Sequence, residues 1–213
     1  LNRKPFVVAG IDTDAGKTLA SAIICLGSGA SYWKPIQAGR EPLTDSEQIR
    51  KWTGISAEKI LPEAFVLTNP MSPNLAAATD GIRISAKDLI IPETAGPLII
   101  EPAGGLMVPV NETELFVDVL AEWKIPVILV VRTYLGCINH TLLSVEALRS
   151  RSIPIAGIVF NEGGRPESES VIISRTGLQV LGRIPQLEKI DPESLRKVWM
   201  EGFEMKGVLS WES

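Results

Sequence analysis

The sequence predicts an α/β fold, a predominantly parallel β-sheet flanked by helices on both faces. Three observations carry this expectation. Short, continuous apolar runs rich in Val and Ile recur along the chain, as strands buried on both faces do. Helical patterns lie between several of these runs, and alternating strand and helix is the signature of a parallel sheet. The chain has 213 residues, 45% apolar and 22% charged, which suits a single domain over residues 1–213 with a sizeable core.

The first strand is Phe6-Val7-Val8-Ala9. It runs into Gly10-Ile11-Asp12-Thr13-Asp14-Ala15-Gly16-Lys17-Thr18, and a helix-compatible run starts at Leu19. Strand, glycine-bounded loop, Gly-Lys-Thr and helix is the arrangement that holds a nucleotide triphosphate. Loop N–H groups wrap the phosphates and the helix N-terminus adds partial positive charge. Lys17 would reach the outer phosphates and the Thr18 hydroxyl would bind Mg²⁺. The strict pattern has its first glycine five residues before Gly16; that position is Ile11 here, and the glycine lies one earlier, at Gly10. With this loop, the expected three-layer architecture is P-loop NTPase-like.

The remaining elements follow in order. Gly27-Ser28-Gly29 closes the first helix early. Tyr32-Trp33 is a short strand ahead of Lys34-Pro35. Thr44-Asp45-Ser46-Glu47 is a capping box, and Gly54 stops that helix. Residues 56–97 carry several prolines and read as irregular structure with short helices, one starting at Ser72-Pro73 and ending near Gly81. Residues 98–100 are a strand. Asn111 is expected to cap the next helix, in which Leu115, Phe116, Val119, Leu120 and Trp123 share a face. Strands at 127–131 and 155–160 enclose a helix from about 139 to 151, and 180–184 is a weaker strand. Residues 167–170 read as a solvated helix start, and a last helix begins over 191–199.

Net charge is −4, so neither nucleic acid nor an anionic membrane gains general electrostatic help. Cys25 and Cys137, the two cysteines, lie in apolar stretches without metal spacing and read as reduced thiols of a cytoplasmic protein. No apolar run approaches the ~20 residues of a membrane span. The basic start, Leu1-Asn2-Arg3-Lys4-Pro5, precedes an apolar run too short for a secretory signal. The first residue is not Met, which is compatible with earlier residues having been removed.

Ligands of an open parallel sheet sit beyond the carboxyl ends of its strands. The residues there are Asp12, Thr13, Asp14 and Lys17, then Lys34, Glu101 and Asn161. Lys34 would be a second cation on transferring phosphate, or else an exposed strand-end lysine. Glu101 would position Mg²⁺, or else simply mark a strand end. Asp45 serves either its capping box or Mg²⁺. Asn161 would read an adenine edge, or else form a turn before Gly163-Gly164. His140, the single histidine, has no evident Ser or Cys partner and is not assigned to catalysis.

Taken together, these segments resemble the dethiobiotin synthetase family. The matching pieces are the loop 10–18, Lys34-Pro35-Ile36-Gln37-Ala38-Gly39, Ser72-Pro73, Glu101-Pro102-Ala103-Gly104-Gly105, residues 127–131 with Leu135-Gly136-Cys137-Ile138-Asn139-His140, Phe160-Asn161 and Gly182-Arg183-Ile184-Pro185. They occur in the family's order over most of the chain. The resemblance implies that 7,8-diaminononanoate, CO₂ (or bicarbonate) and MgATP give dethiobiotin, ADP and phosphate through a carbamate and its phosphorylated anhydride. It further implies that Lys17, Lys34 and Thr13 contact phosphate and carbamate, that Asp14 and Ala38 lie near the substrate, and that Thr18, Asp45 and Glu101 organise Mg²⁺. The loop residues Asp12, Thr13, Asp14, Ala15, Gly16, Lys17 and Thr18 would hold the nucleotide, with Asn161, Pro185, Gln186, Leu187 and Glu193 at its base. The family's site lies at a homodimer interface, where Gly136, Cys137, Ile138 and Asn139 of the second subunit would hold the substrate carboxylate. Three residues depart from the common pattern: Pro102 for glycine, Ala38 for a hydroxyl residue, and Arg132 for a small one.

Two other readings share the loop. One is another ATP-dependent ligase or amidase of the same group. The other is a nucleotide-switched ATPase of the partitioning or positioning type; those switches usually carry a lysine five residues before Lys17, where this chain has Asp12.

Overall fold

A computed structural model describes residues 5–40, 42–162 and 165–205. The basic start at 1–4 and the pair Gly163-Gly164 lie outside the described residues. Nine strands and seven α-helices follow one another along the described chain. The first half runs β1 (Phe6–Gly10), α1 (Lys17–Ser28), β2 (Ser31–Trp33), β3 (Ile36–Ala38), α2 (Asp45–Thr53), β4 (Ile60–Leu61), β5 (Phe65–Leu67) and α3 (Pro73–Thr79). The second half runs β6 (Leu98–Ile100), α4 (Phe116–Trp123), β7 (Val127–Arg132), α5 (Cys137–Arg149), β8 (Ile155–Asn161), α6 (Pro166–Thr176), β9 (Val180–Ile184) and α7 (Pro192–Gly202).

Seven strands form one sheet in the order β4-β2-β6-β1-β7-β8-β9, and every pair in it is parallel. All the strands therefore deliver their carboxyl ends to one edge, with β1 central between β6 and β7. β3 and β5 pair separately as a two-stranded parallel sheet. The strands look uniformly apolar in sequence, yet their side chains alternate between two cores. Val8, Tyr32, Ile99, Ile128 and Val159 pack with α1 and α7. On the opposite face, Val7, Trp33 and Ile100 pack with α3 and α4. Leu129, Val131 and Phe160 pack there with α5 and α6. Each such fully buried aliphatic side chain contributes about 1.5–3 kcal/mol.

Local chemistry explains most element ends. Thr44 accepts from the Glu47 N–H while Glu47 Oε2 accepts from the Thr44 N–H, so the capping box forms, and α2 stops at left-handed Gly54. α1 ends at Ser28, within the stretch expected to close it. Three expectations need correction. Asn111 does not cap α4, which begins five residues later. Its Oδ1 instead accepts from the Thr113 and Glu114 N–H groups and organises the loop before the helix. α5 begins at Cys137, not 139, so Cys137, Ile138 and Asn139 form its first turn. The start of α6 is not wholly solvated: Glu169 is buried and accepts from Arg183 Nε at 2.9 Å.

Candidate active site

The loop between β1 and α1 owes its shape to two glycines. A Cβ on Gly10 would stand 2.8 Å from Ala15 Cβ and 2.9 Å from the Asp12 carbonyl, which explains why the glycine sits at this position. Gly16 has φ 95°, and a Cβ there would lie 2.1 Å from Asn161 Nδ2. Gly16 caps α1 without a side-chain hydrogen bond, and the first turn carries no acidic residue. The Lys17, Thr18 and Leu19 N–H groups, with no intrahelical acceptor, thus present an uncompensated positive end to the loop.

Side chains from four elements meet at this helix end. Thr18 Oγ1 lies 2.8 Å from Glu101 Oε1 and 3.2 Å from Asp45 Oδ1. Lys34 Nζ lies 2.6 Å from Asp45 Oδ2 and 3.4 Å from Glu101 Oε1, and donates to the Pro102 carbonyl at 3.3 Å. The Glu101 Oε2 atom accepts from the Tyr32 hydroxyl at 3.0 Å. Lys17 Nζ donates to the carbonyls of Asp12 (3.0 Å) and Thr13 (2.8 Å). Asp45 is fixed in turn by its N–H, which donates to Gln37 Oε1 at 3.1 Å. Lys17, Thr18, Lys34, Gln37, Asp45 and Glu101 border a cleft of about 510 Å³ that Ala38, Met71, Ser72, Gly104 and Val108 also line.

The two ammonium groups differ electrostatically. Burial lowers Lys17 to about 8, only partly offset by Glu101. Burial also acts against the Lys34 charge, but the Glu101 and Asp45 carboxylates outweigh it and hold Lys34 above its ordinary value. Burial would raise the Asp45 carboxyl; the Lys34 charge and hydrogen bond prevail and hold it below the usual range. Burial, then Glu101, push the Tyr32 phenol well above its ordinary value, so it remains a donor.

Among the described residues no three His, Cys, Asp or Glu side chains form a metal cluster. With the Thr18 hydroxyl counted, however, three hard oxygen donors converge. Neighbouring ligands of an octahedral Mg²⁺ are about 2.9 Å apart, given metal–oxygen distances of about 2.0–2.1 Å. The Thr18–Glu101 and Thr18–Asp45 separations of 2.8 and 3.2 Å bracket that spacing, so these residues fit Mg²⁺.

The other expected site residues are more dispersed. Thr13 and Asp14 line the cleft, and Ala38 lines it without a hydroxyl to offer. Asp12 lies with Thr13 in an adjoining hollow of about 410 Å³ that His140 also borders. The His140 ring is paired with the Tyr134 hydroxyl. Asn161 is buried, donates one N–H to the Ala15 carbonyl at 3.0 Å, and leaves Oδ1 without a partner. Pro185 and Leu187 border a separate hollow of about 320 Å³ between β9 and α7, outside the phosphate cleft. Gln186 and Glu193 are exposed. Gly136, Cys137, Ile138 and Asn139 open α5; the Cys137 N–H already donates to the Tyr134 carbonyl at 3.1 Å, so Ile138 and Asn139 keep the free ends. Arg132 is ion-paired with Glu162 at 2.8 Å. Tyr32 and Gln37 were given no role by sequence: Tyr32 reads as an apolar strand residue, and only the position of Gln37 within the Lys34–Gly39 segment hinted at one.

A parallel sheet with a glycine-bounded loop after its central strand, Lys-Thr at the following helix and a carboxylate at the end of the neighbouring strand defines a P-loop NTPase fold. Solved structures with this fold include a ParA family ATPase from Chlorobium tepidum (TM-score 0.57, 15% identity, 98% of each chain). Another is MinD complexed with Mg-ADP from Pyrococcus horikoshii (TM-score 0.51, 15% identity, 97% of this chain and 98% of that one). A family model described as an AAA domain matches residues 4–194. The chain is 48% identical to the ATP-dependent dethiobiotin synthetase BioD of Afipia carboxidovorans over 93% of its length and 95% of the relative's. It is also 48% identical to that of Rhodopseudomonas palustris BisB18, over 96% and 98%. The chain belongs to the ATP-dependent dethiobiotin synthetase family.

Proposed function

We propose that this protein, acting as one catalytic domain in the cytoplasm, carboxylates 7,8-diaminononanoate with CO₂ and closes the ureido ring of dethiobiotin at the expense of ATP. The observation that carries this reading is the meeting of Lys17, Lys34, Thr18, Asp45 and Glu101 at one helix N-terminus beside a cleft.

One substrate amine attacks CO₂ and loses a proton, leaving a carbamate anion. A carbamate oxygen then attacks the γ-phosphorus of ATP, and ADP leaves. The second amine attacks the carbamoyl carbon, the bond from that carbon to the phosphate oxygen breaks, and phosphate departs with the proton that the amine gives up as the ring closes. The central difficulty is that a carbamate and a triphosphate bring negative charge together. Lys17, now bonded to two loop carbonyls, would turn to the γ-phosphate and carbamate, with Thr13 beside it. Lys34 would stay charged between its two carboxylates and face the same oxygens. Thr18, Asp45 and Glu101 would hold Mg²⁺, which when bound supplies charge neutralisation on the phosphate oxygens. Asp14 would lie near the amines. Ile138 and Asn139 N–H groups at the start of α5 in a second subunit would hold the substrate carboxylate. The Asn161 Oδ1 atom, unpartnered and buried, would accept from the adenine amine. No protein nucleophile is needed, because positioning and charge carry phosphoryl transfer.

The test is ADP release with MgATP alone and then with 7,8-diaminononanoate and bicarbonate. Turnover that requires both additions supports the ligase. Basal turnover indifferent to them would mean a nucleotide switch instead.

A further inference from the structure

We infer that Tyr32 is a positioning residue for the Glu101 carboxylate: its hydroxyl fixes one oxygen so that the other faces Thr18 and Lys34. The inference rests on the reading of Thr18, Asp45 and Glu101 as the Mg²⁺ site. Tyr32 is the middle residue of β2, fully buried, and pairs in register with Ile99 of β6. Glu101 follows directly after β6, so the strand pairing sets the distance between ring and carboxylate. Within this frame the hydroxyl donates to Glu101 Oε2 at 3.0 Å, and Thr18 takes the other oxygen, Oε1, at 2.8 Å.

The geometry leaves little else to hold this carboxylate. The terminal torsion of a glutamate is broad, so one anchored oxygen does not fix the plane of the group. The next residue, Pro102, has no N–H to give. Lys34 lies 3.4 Å from Oε1, the same oxygen that Thr18 occupies, and is much closer to Asp45, at 2.6 Å. Among the described residues, Tyr32 alone hydrogen-bonds to Glu101 Oε2. A merely structural tyrosine would satisfy its hydroxyl anywhere; this one satisfies it on the group whose orientation determines where a metal ligand points.

The experiment measures Mn²⁺ binding by electron paramagnetic resonance, with the full chain and ADP present, for wild type, Tyr32→Phe and Glu101→Gln. The Mg²⁺ concentration giving half-maximal turnover is measured alongside. Tyr32→Phe is expected to weaken Mn²⁺ binding by about 10–100-fold, the usual effect of removing a group that orients a metal ligand. Glu101→Gln is expected to weaken it further. 4-Aminophenylalanine in place of Tyr32 keeps a donor and should restore affinity, whereas 4-methylphenylalanine keeps the volume without the donor and should not. That pair also decides the matter should Tyr32→Phe fail to fold. Wild-type Mn²⁺ affinity in the donor-free variants, with Glu101→Gln impaired, would overturn the positioning role alone. Wild-type affinity in Glu101→Gln would overturn the metal-site reading and this inference together.

Discussion

Lys17 and Lys34 carry the same group into one cleft and are tuned in opposite directions. Lys34 sits between two carboxylates and stays charged. Lys17 is buried against main-chain carbonyls, and its value falls to about 8. An approaching triphosphate favours the ammonium and raises that value. Between the free and bound values the complex therefore holds more protons than the free protein, and binding takes up a proton. The uptake should grow as pH rises through 8 and vanish well below it, where Lys17 is already charged. Binding enthalpies of a non-hydrolysable ATP analogue, measured in buffers of different ionisation enthalpy, report the uptake directly. Lys17→Arg, whose guanidinium stays charged, should lose it; an unchanged buffer dependence in that variant would assign the proton elsewhere. Lys34→Ala tests the other cation. It removes the ammonium that pairs with both Asp45 and Glu101, and kcat should drop by at least about 100-fold, the scale of losing one transition-state donor. Far-UV circular dichroism should remain that of the wild type. The sequence made these residues legible because Lys17 and Thr18 follow a glycine loop and Lys34 and Glu101 follow apolar runs. Tyr32 was not legible, because its hydroxyl acts on a neighbouring strand's end that is distant in sequence.

Elements with strong local signals could be read directly, and those defined by distant partners could not. Thr44 and Gly54 bracket α2 by cap chemistry contained within the helix itself. β3, β4 and β5 are two or three residues long, too short to carry a period, and exist only because β2 and one another offer edges. Gly27 shows a helix whose sequence reads as weak for a tertiary reason. In a helix interior, Gly→Ala normally stabilises by about 1 kcal/mol. Here the new Cβ would stand 2.1 Å from Trp199 Cδ2, and the indole is stacked on Phe203 at 5.5 Å between centroids. A rigid, stacked ring does not yield as a flexible chain end would, so overpacking of about 1–3 kcal/mol should outweigh the propensity gain. Gly27→Ala is therefore expected to lower the urea midpoint, and Gly27→Ala with Trp199→Leu to recover part of the loss relative to Trp199→Leu alone. A higher midpoint in the single variant would mean that α1 and α7 separate at little cost.

At the scale of the whole molecule, the parallel sheet gathers every strand's carboxyl end on one edge, and the described chain still leaves part of the proposed machinery facing outward. α5 opens with Gly136 in a left-handed conformation, no acidic residue in its first turn and no side-chain cap. Leu135 beside it is 89% exposed, and Leu143 and Met107 are also exposed. In the proposed homodimer a second copy would cover this uncapped helix start and its apolar neighbour, and the substrate-carboxylate site would be made there. On the proposed arrangement one catalytic centre would draw Lys17 from one chain and the Asn139 N–H from the other. Lys17→Ala and Asn139→Pro homodimers should each be severely impaired, the second because proline removes the proposed N–H donor from the first turn of α5. When the two are mixed, unfolded and refolded together, each heterodimer holds one centre with both lesions and one with neither. Random pairing of equal amounts should then restore about a quarter of wild-type turnover, since half the dimers are mixed and each has one intact centre. The quarter is a quantitative demand: if both residues came from the same chain, every centre would carry one lesion however the subunits paired. Native mass spectrometry of the refolded mixture establishes that heterodimers are present. Turnover that stays at the level of the impaired homodimers, with heterodimers so verified, would rule out a centre shared in this way between two chains.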